Sequence, residues 1–150
     1  MAKIIQHQLF YPHPAELVWD YLTKPELLAQ WLMPSEFQPT VGYEFQFRGN
    51  PKPDLNFDGV FYCKVLEVIP PKKLSYTWQF GPGNGVLHNS VVNWTLTPKE
   101  DGTELLLVHN GFDESSEILP IFEGMTKGWL SNIQKILQLI NTATYGTTQA

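Results

Sequence analysis

Cysteine is nearly missing from this chain: Cys63 is the only one in 150 residues. That excludes an internal disulfide and any zinc cage built from cysteines. Arginine is equally scarce, with Arg48 standing alone among ten basic residues against fifteen acidic ones, for a net charge of −5. The lysines are scattered and only Lys72 and Lys73 adjoin, so the cation clusters that bind a phosphate backbone are lacking and nucleic acid is not an expected partner. No apolar run approaches the roughly 18 residues of a membrane span, so no membrane association is expected. The start, Met1 to His7, carries no secretory apolar region of about 7 residues or more, and the expected compartment is the cytoplasm. His7, His13, His88 and His109 follow no metal-ligand spacing, so neither a metal nor a cofactor is expected.

Aromatic residues are plentiful: nine Phe, six Tyr and five Trp. Hydrophobic residues make up 43% and charged residues 17%, enough for a core and too apolar for a disordered chain. A chain of this length buries roughly 70% of its unfolded surface as one domain, here residues 1–150. The aromatic surplus must either fill that core or line a cavity.

Alternation over residues 3–11 predicts a strand, with Ile5, His7, Leu9 and Tyr11 on one side. Pro12 ends it, and Pro14 and Glu16 suit the first turn of a helix over 14–23. Pro25 starts a second short helix carrying Leu28, Trp31 and Leu32. Alternation then predicts a strand from Val41 to Phe47, a long one from Asn56 to Ile69 whose two faces are both apolar, and another from Leu74 to Phe80. A strand from Val86 to Thr97 follows, and Asp101-Gly102 turns the chain into a last one from Thr103 to Asn110. Beyond Gly111 the period becomes helical, with Ile118, Phe122, Met125, Trp129, Ile133, Ile136, Leu137 and Ile140 forming one stripe. A helix over about 119–142 is roughly 36 Å long, enough to cross a sheet. Ser115, Ser116 and Glu117 are its capping candidates, and the tail beyond Thr142 is expected to fray.

Hairpin-joined strands with one apolar face need a cover, and the long helix supplies it. The expected class is α+β: a curved antiparallel sheet of about six strands wrapped around a long C-terminal helix, with two short helices after the first strand.

Several segments resemble one family. They are Pro14-Ala15-Glu16-Leu17-Val18-Trp19-Asp20-Tyr21-Leu22-Thr23, Pro25 to Leu32, Val41-Gly42-Tyr43-Glu44-Phe45, Gly59 to Pro70, Lys73 to Trp78, Gly102 to Phe112, and Gly128-Trp129. Together, over about residues 3 to 140, they resemble proteins similar to the activator of heat-shock protein 90 ATPase, within the START-like, or SRPBCC, superfamily. The resemblance implies the helix-grip fold and a cavity between sheet and long helix, which in the wider superfamily holds apolar small molecules.

On that basis Phe45, Phe47, Tyr62, Trp78, His88, Trp94, His109, Phe112, Met125 and Trp129 are the candidate cavity lining. His109 or Tyr62 would supply polar contact to a ligand. The competing reading makes the aromatics solid core and His109 a buried histidine satisfied by the backbone. Asp113, Glu114 and Glu117 could do acid–base work, but acids before a helix more simply match its dipole. Cys63 reads as a buried small residue. The loop Gly81-Pro82-Gly83-Asn84-Gly85 joins two strands and offers no helix terminus to a phosphate. Gly124 and Gly128, one turn apart, imply a close approach or a bend in the long helix.

These residues form no convincing catalytic constellation. The expected function is binding of a small apolar or aromatic molecule, the rival is a chaperone-regulating interaction module, and a cyclase or hydrolase ranks last.

Overall fold

A computed structural model of the chain describes residues 3–113 and 115–146. The order is β1 (Ile5–Tyr11), α1 (Ala15–Thr23), α2 (Pro25–Trp31), β2 (Glu44–Arg48), β3 (Val60–Ile69), β4 (Lys73–Thr77), β5 (Val91–Lys99), β6 (Gly102–Asn110) and α3 (Leu119–Tyr145). The strands form one six-stranded sheet in the order β1-β6-β5-β4-β3-β2, with every neighbouring pair antiparallel. Hairpins account for every neighbour except β1 beside β6. The two short helices carry the chain from β1 at one edge to β2 at the other. This is the α+β order that the periodicity implies and the helix-grip fold that the resemblance implies.

Alternation sets the inner face. On β5, Val92, Trp94 and Leu96 are buried, and on β6, Thr103, Leu105, Leu107 and His109 are. They pack against α3, whose buried stripe is Ile121, Met125, Trp129, Ile133, Ile136 and Ile140. Ile121 takes the place expected of Phe122, which is half-buried and meets Phe112 at 5.0 Å between ring centroids.

Strand ends differ from expectation for local reasons. Gly42, at φ 89°, breaks the extended run so that β2 begins at Glu44. Asn56, at φ 56°, and Gly59, at φ 93°, delay β3 to Val60. A β-carbon on Gly59 would sit 2.8 Å from the Pro51 nitrogen, so this glycine lets the 49–59 loop fold back on itself. Over residues 78–80, the expected end of β4, the chain forms only isolated bridges, Gln79 with Tyr62 and Phe80 with His88. Residues 86–90 lie outside β5 because β6 ends at Asn110, opposite Val91, leaving no partner on that side.

The long helix runs to Tyr145, past the expected end at 142, and at 1.5 Å per residue spans about 40 Å. Ser115 caps a separate 3₁₀ turn, Ser116–Ile118, accepting from the Glu117 N–H, while α3 itself has no side-chain cap and carries Pro120 in its first turn. Residues 147–150 of the expected frayed tail lie outside the described residues, as does Glu114.

Three side chains tie β1 to α3. His7 Nε2 donates to the Thr126 carbonyl at 2.8 Å, the Tyr11 hydroxyl to the Ile133 carbonyl at 2.5 Å, and just beyond the strand His13 Nε2 pairs with Asn141 Oδ1 at 2.7 Å. Their helix partners are spaced about two turns apart, so one side of the helix is fixed along its length. Burial pushes the Tyr11 hydroxyl far above its ordinary pKa, and it stays a neutral donor.

Candidate functional site

The opposite side of α3 stands off the sheet. A cavity of about 330 Å³ opens there, walled on the helix by Ile121, Gly124, Met125, Gly128, Trp129 and Asn132. Phe61 of β3 and Trp78, just past β4, form the sheet wall. Leu32 and Met33 after α2 and the folded-back 49–57 loop, which contributes Phe57, line other sides, and the cavity opens to solvent past Asn50, Lys52 and Gly124. The volume falls in the range of roughly 300 to 1,000 Å³ typical of small-molecule pockets. Among the described residues Lys52 is the only charged one on the wall.

Two glycines help make this space. A β-carbon on Gly124 or Gly128 would meet nothing within 4 Å, so they do not mark a close approach, and α3 runs on through both. Ordinary side chains at the same two places would project where the cavity lies.

The sheet wall is a stack of rings. Trp78 lies over Phe61 with centroids 4.3 Å apart and meets Trp129 at 5.1 Å, while Phe61 meets Phe57 at 4.7 Å. Such contacts add about 0.5 to 1.5 kcal/mol per pair beyond area burial. They also fix flat apolar surfaces around the void.

Behind Trp129 lies a closed polar relay. An indole N–H can only donate, so at 2.9 Å Trp129 Nε1 assigns His109 Nδ1 as acceptor. His109 Nε2 then carries the proton and donates to Ser90 Oγ at 2.8 Å, and the Ser90 hydroxyl donates to the Trp78 carbonyl at 2.5 Å. Burial lowers the pKa of His109 to about 3, so the ring is neutral at ordinary pH. A histidine that donates to a serine cannot take that serine's proton, so the pair holds no activated hydroxyl.

Of the residues singled out from sequence, Trp78, Met125 and Trp129 line the cavity. His109 is fully buried behind Trp129, with both ring nitrogens in use. Tyr62 lies on the outer face of β3, its hydroxyl donating to Asp58 Oδ2 at 2.9 Å, and that bond raises its pKa. Neither supplies the polar contact expected of it. His88 bonds Asp113 through Nδ1 at 2.8 Å and packs on Phe80. Trp94 donates to the Tyr76 hydroxyl at 3.0 Å and meets Trp129 edge-on. Phe45 and Phe47 pack with each other and with Tyr76, deep in the core. Phe112 sits 4.5 Å from the His109 ring and is not part of the cavity lining. Cys63 is buried, which pushes its thiol pKa well up. Asp113 also accepts from the Ser115 N–H.

Sequence reasoning missed Phe57, Phe61 and Ile121. Phe61 could have been found: Lys64 shares the outward phase of Tyr62, which turns Phe61 and Cys63 inward.

Among curated proteins, none matches this sequence. Solved structures do. Protein MLL2253 of Mesorhizobium loti is 33% identical, the match covering 92% of this chain and 96% of that one with a TM-score of 0.79. Protein BH1534 of Bacillus halodurans is 26% identical over 91% of this chain and 95% of its own, with a TM-score of 0.70. PFC0360w of Plasmodium falciparum, an HSP90 activator, shares the fold at 22% identity and a TM-score of 0.72, over 92% and 95% of the two chains. The profile of the family described as Activator of Hsp90 ATPase homolog 1-like protein matches residues 12–141. Spanning most of the chain, and agreeing with the sheet, the gripped helix and the two short helices, that match makes this protein a member of the Activator of Hsp90 ATPase homolog 1-like family.

Proposed function

We propose that the protein binds a small apolar molecule in the cavity between β3, β4 and α3. The observation that carries this reading is a void of about 330 Å³ walled by aromatic rings on one side and by two glycines on the other. The space opens to solvent past the exposed Asn50, Lys52 and Gly124, so a small molecule can enter it and cover the apolar rings of its wall. The walls supply apolar area, and Lys52, Asn50 and Asn132 supply polar groups.

Mass spectrometry of the purified protein under native and then denaturing conditions tests for a released small molecule. In parallel, titration with 1-anilinonaphthalene-8-sulfonate should give saturable one-to-one fluorescence enhancement in the parent. It should weaken at least about tenfold in Gly128→Leu, whose side chain occupies the void. A folded Gly128→Leu variant with unchanged affinity would count against the cavity as the site.

A second reading, regulation of a chaperone through the outer surface, is favoured by the family description and by the fold shared with the P. falciparum activator. Stimulation of a purified chaperone's ATPase supports it. No binding at high micromolar concentration removes it.

A further inference from the structure

The mouth of the cavity reverses the charge of the protein around it. Fifteen acids against ten bases give the chain a net charge of −5, yet among the described residues no Asp or Glu lines the cavity and its one charged residue is a cation, Lys52. Lys24, Arg48, Lys73 and Lys99 each have a carboxylate within 4 Å. Lys52 has none among the described residues and is exposed. Other surface lysines are unpaired too, but Lys52 is the one that stands on the cavity wall.

The backbone of Lys52 is held in place at this rim. It lies between Pro51 and Pro53, whose rings restrict the chain on either side. Its N–H donates to the Phe57 carbonyl at 2.9 Å, and its carbonyl accepts from the Leu55 N–H at 2.9 Å and the Phe57 N–H at 3.2 Å. Leu55 and Phe57, so tied to Lys52, line the same cavity. A fixed backbone thus carries a flexible four-carbon stem at the mouth, and the ammonium can follow a charged group there. Asn50 and Asn132 also border the space, but an amide both donates and accepts, so they do not select the sign of a ligand.

Deeper in, Phe57, Phe61, Trp78 and Trp129 present ring surfaces, which suit a flat molecule. A carboxylate among those rings would lose its hydration with no charged partner to replace it, so an acidic group is favoured only at the mouth. Resting on the cavity-binding reading above, we propose that the ligand is an aromatic monocarboxylate, its rings inside the cavity and its carboxylate at the mouth against Lys52. Lys52 is then a specificity residue, separating acids from neutral molecules of the same shape.

A shape-matched pair of probes tests this. In 2-naphthoate and 2-naphthamide one carboxylate oxygen is exchanged for an amide nitrogen on the same frame. Dissociation constants for both are measured by calorimetry at neutral pH in the parent, in Lys52→Met and in Lys64→Met, which removes the same charge from the outer face of β3. The naphthoate-to-naphthamide affinity ratio should fall about threefold to fivefold in Lys52→Met, the size of a solvent-exposed ion pair, and stay unchanged in Lys64→Met. The parent alone gives a second readout: its ratio should decline as salt is raised from about 0.01 to 1 M, because the Debye length shrinks from about 30 to 3 Å.

An unchanged ratio in Lys52→Met, an equal fall in Lys64→Met, or a parent ratio indifferent to salt overturns the carboxylate proposal. If naphthamide still binds the parent and is weakened by Gly128→Leu, the cavity reading survives that failure. If neither probe nor 1-anilinonaphthalene-8-sulfonate binds the parent, the cavity reading itself fails, and this proposal with it.

Discussion

The two sides of α3 are built on opposite terms. Toward β1 the helix is held by His7, Tyr11 and His13, and its Ile133, Ile136 and Ile140 are fully buried. Toward β3 and β4 it presents Gly124, Gly128 and Met125 to a void, across which a ring stack faces it. One side spends its polar groups on fixing the helix, and the other is walled by apolar rings, among them Trp78, whose buried Nε1 has no hydrogen-bond partner among the described residues. A rigid anchor on one flank is what lets the other remain open without the helix sliding in to fill it, since a packed and hydrogen-bonded seam does not deform continuously.

Truncation on each flank separates them most widely. Ile133→Ala should cost about 2 to 5 kcal/mol, because its surroundings are full and cannot relax into the gap. Met125→Ala removes a side chain that already borders space, and should cost at least about 1 kcal/mol less than Ile133→Ala. Urea unfolding of both variants checks this, and equal losses would mean that the open flank is packed as tightly as the anchored one.

Acid is the next lever, acting on the relay between the flanks. His109 has a pKa of about 3 when folded, against an ordinary value of 6.5, so the unfolded chain takes up a proton that the native one refuses. Its contribution to stability is complete above about pH 6.5 and falls as pH drops toward 3, by at most about 1.4 kcal/mol per pH unit. His109→Gln keeps a polar group there and removes the titration. Its unfolding free energy should start lower and decline less steeply than the parent's between pH 6.5 and pH 4; parallel slopes would remove His109 from the account.

Tyr11→Phe is smaller. It deletes one buried hydrogen bond to the Ile133 carbonyl and keeps the ring, so about 0.5 to 1.5 kcal/mol should be lost. Amide exchange should quicken around Ile133 more than around Gly128. Uniform quickening along α3 would mean that the bond does not anchor this flank in particular.

Period made the architecture legible, since strands and helices that bury one face must repeat at two or 3.6 residues. The inner faces of β5 and β6 and most of the α3 stripe follow directly. β3 does not yield in the same way because both its faces are apolar, so alternation alone does not separate the outward Tyr62 from the inward Phe61. Only the phase of Lys64 carries the correct parity. The role of His109 depends on Trp129, twenty residues away on another element, and on Ser90, just before β5; no spacing within either segment encodes that relay. Cavities are harder still to read, because an empty volume is made by side chains that are absent. Gly124 and Gly128 were visible, but a glycine pair in a helix means close approach as readily as open space until the facing wall is known.

Those glycines give the smallest effect and the sharpest test of why the open flank exists. Each lowers helix stability by about 0.5 to 1 kcal/mol relative to Ala, and a β-carbon at either position meets nothing. Gly124→Ala and Gly128→Ala should therefore each raise the unfolding free energy by about 0.5 to 1 kcal/mol, while weakening dye binding by narrowing the cavity. Glycines kept for a bend or a close contact would behave in reverse, with the alanine variants less stable. A gain in stability together with a loss of binding means that the chain forgoes helix stability at two positions to hold space for a ligand.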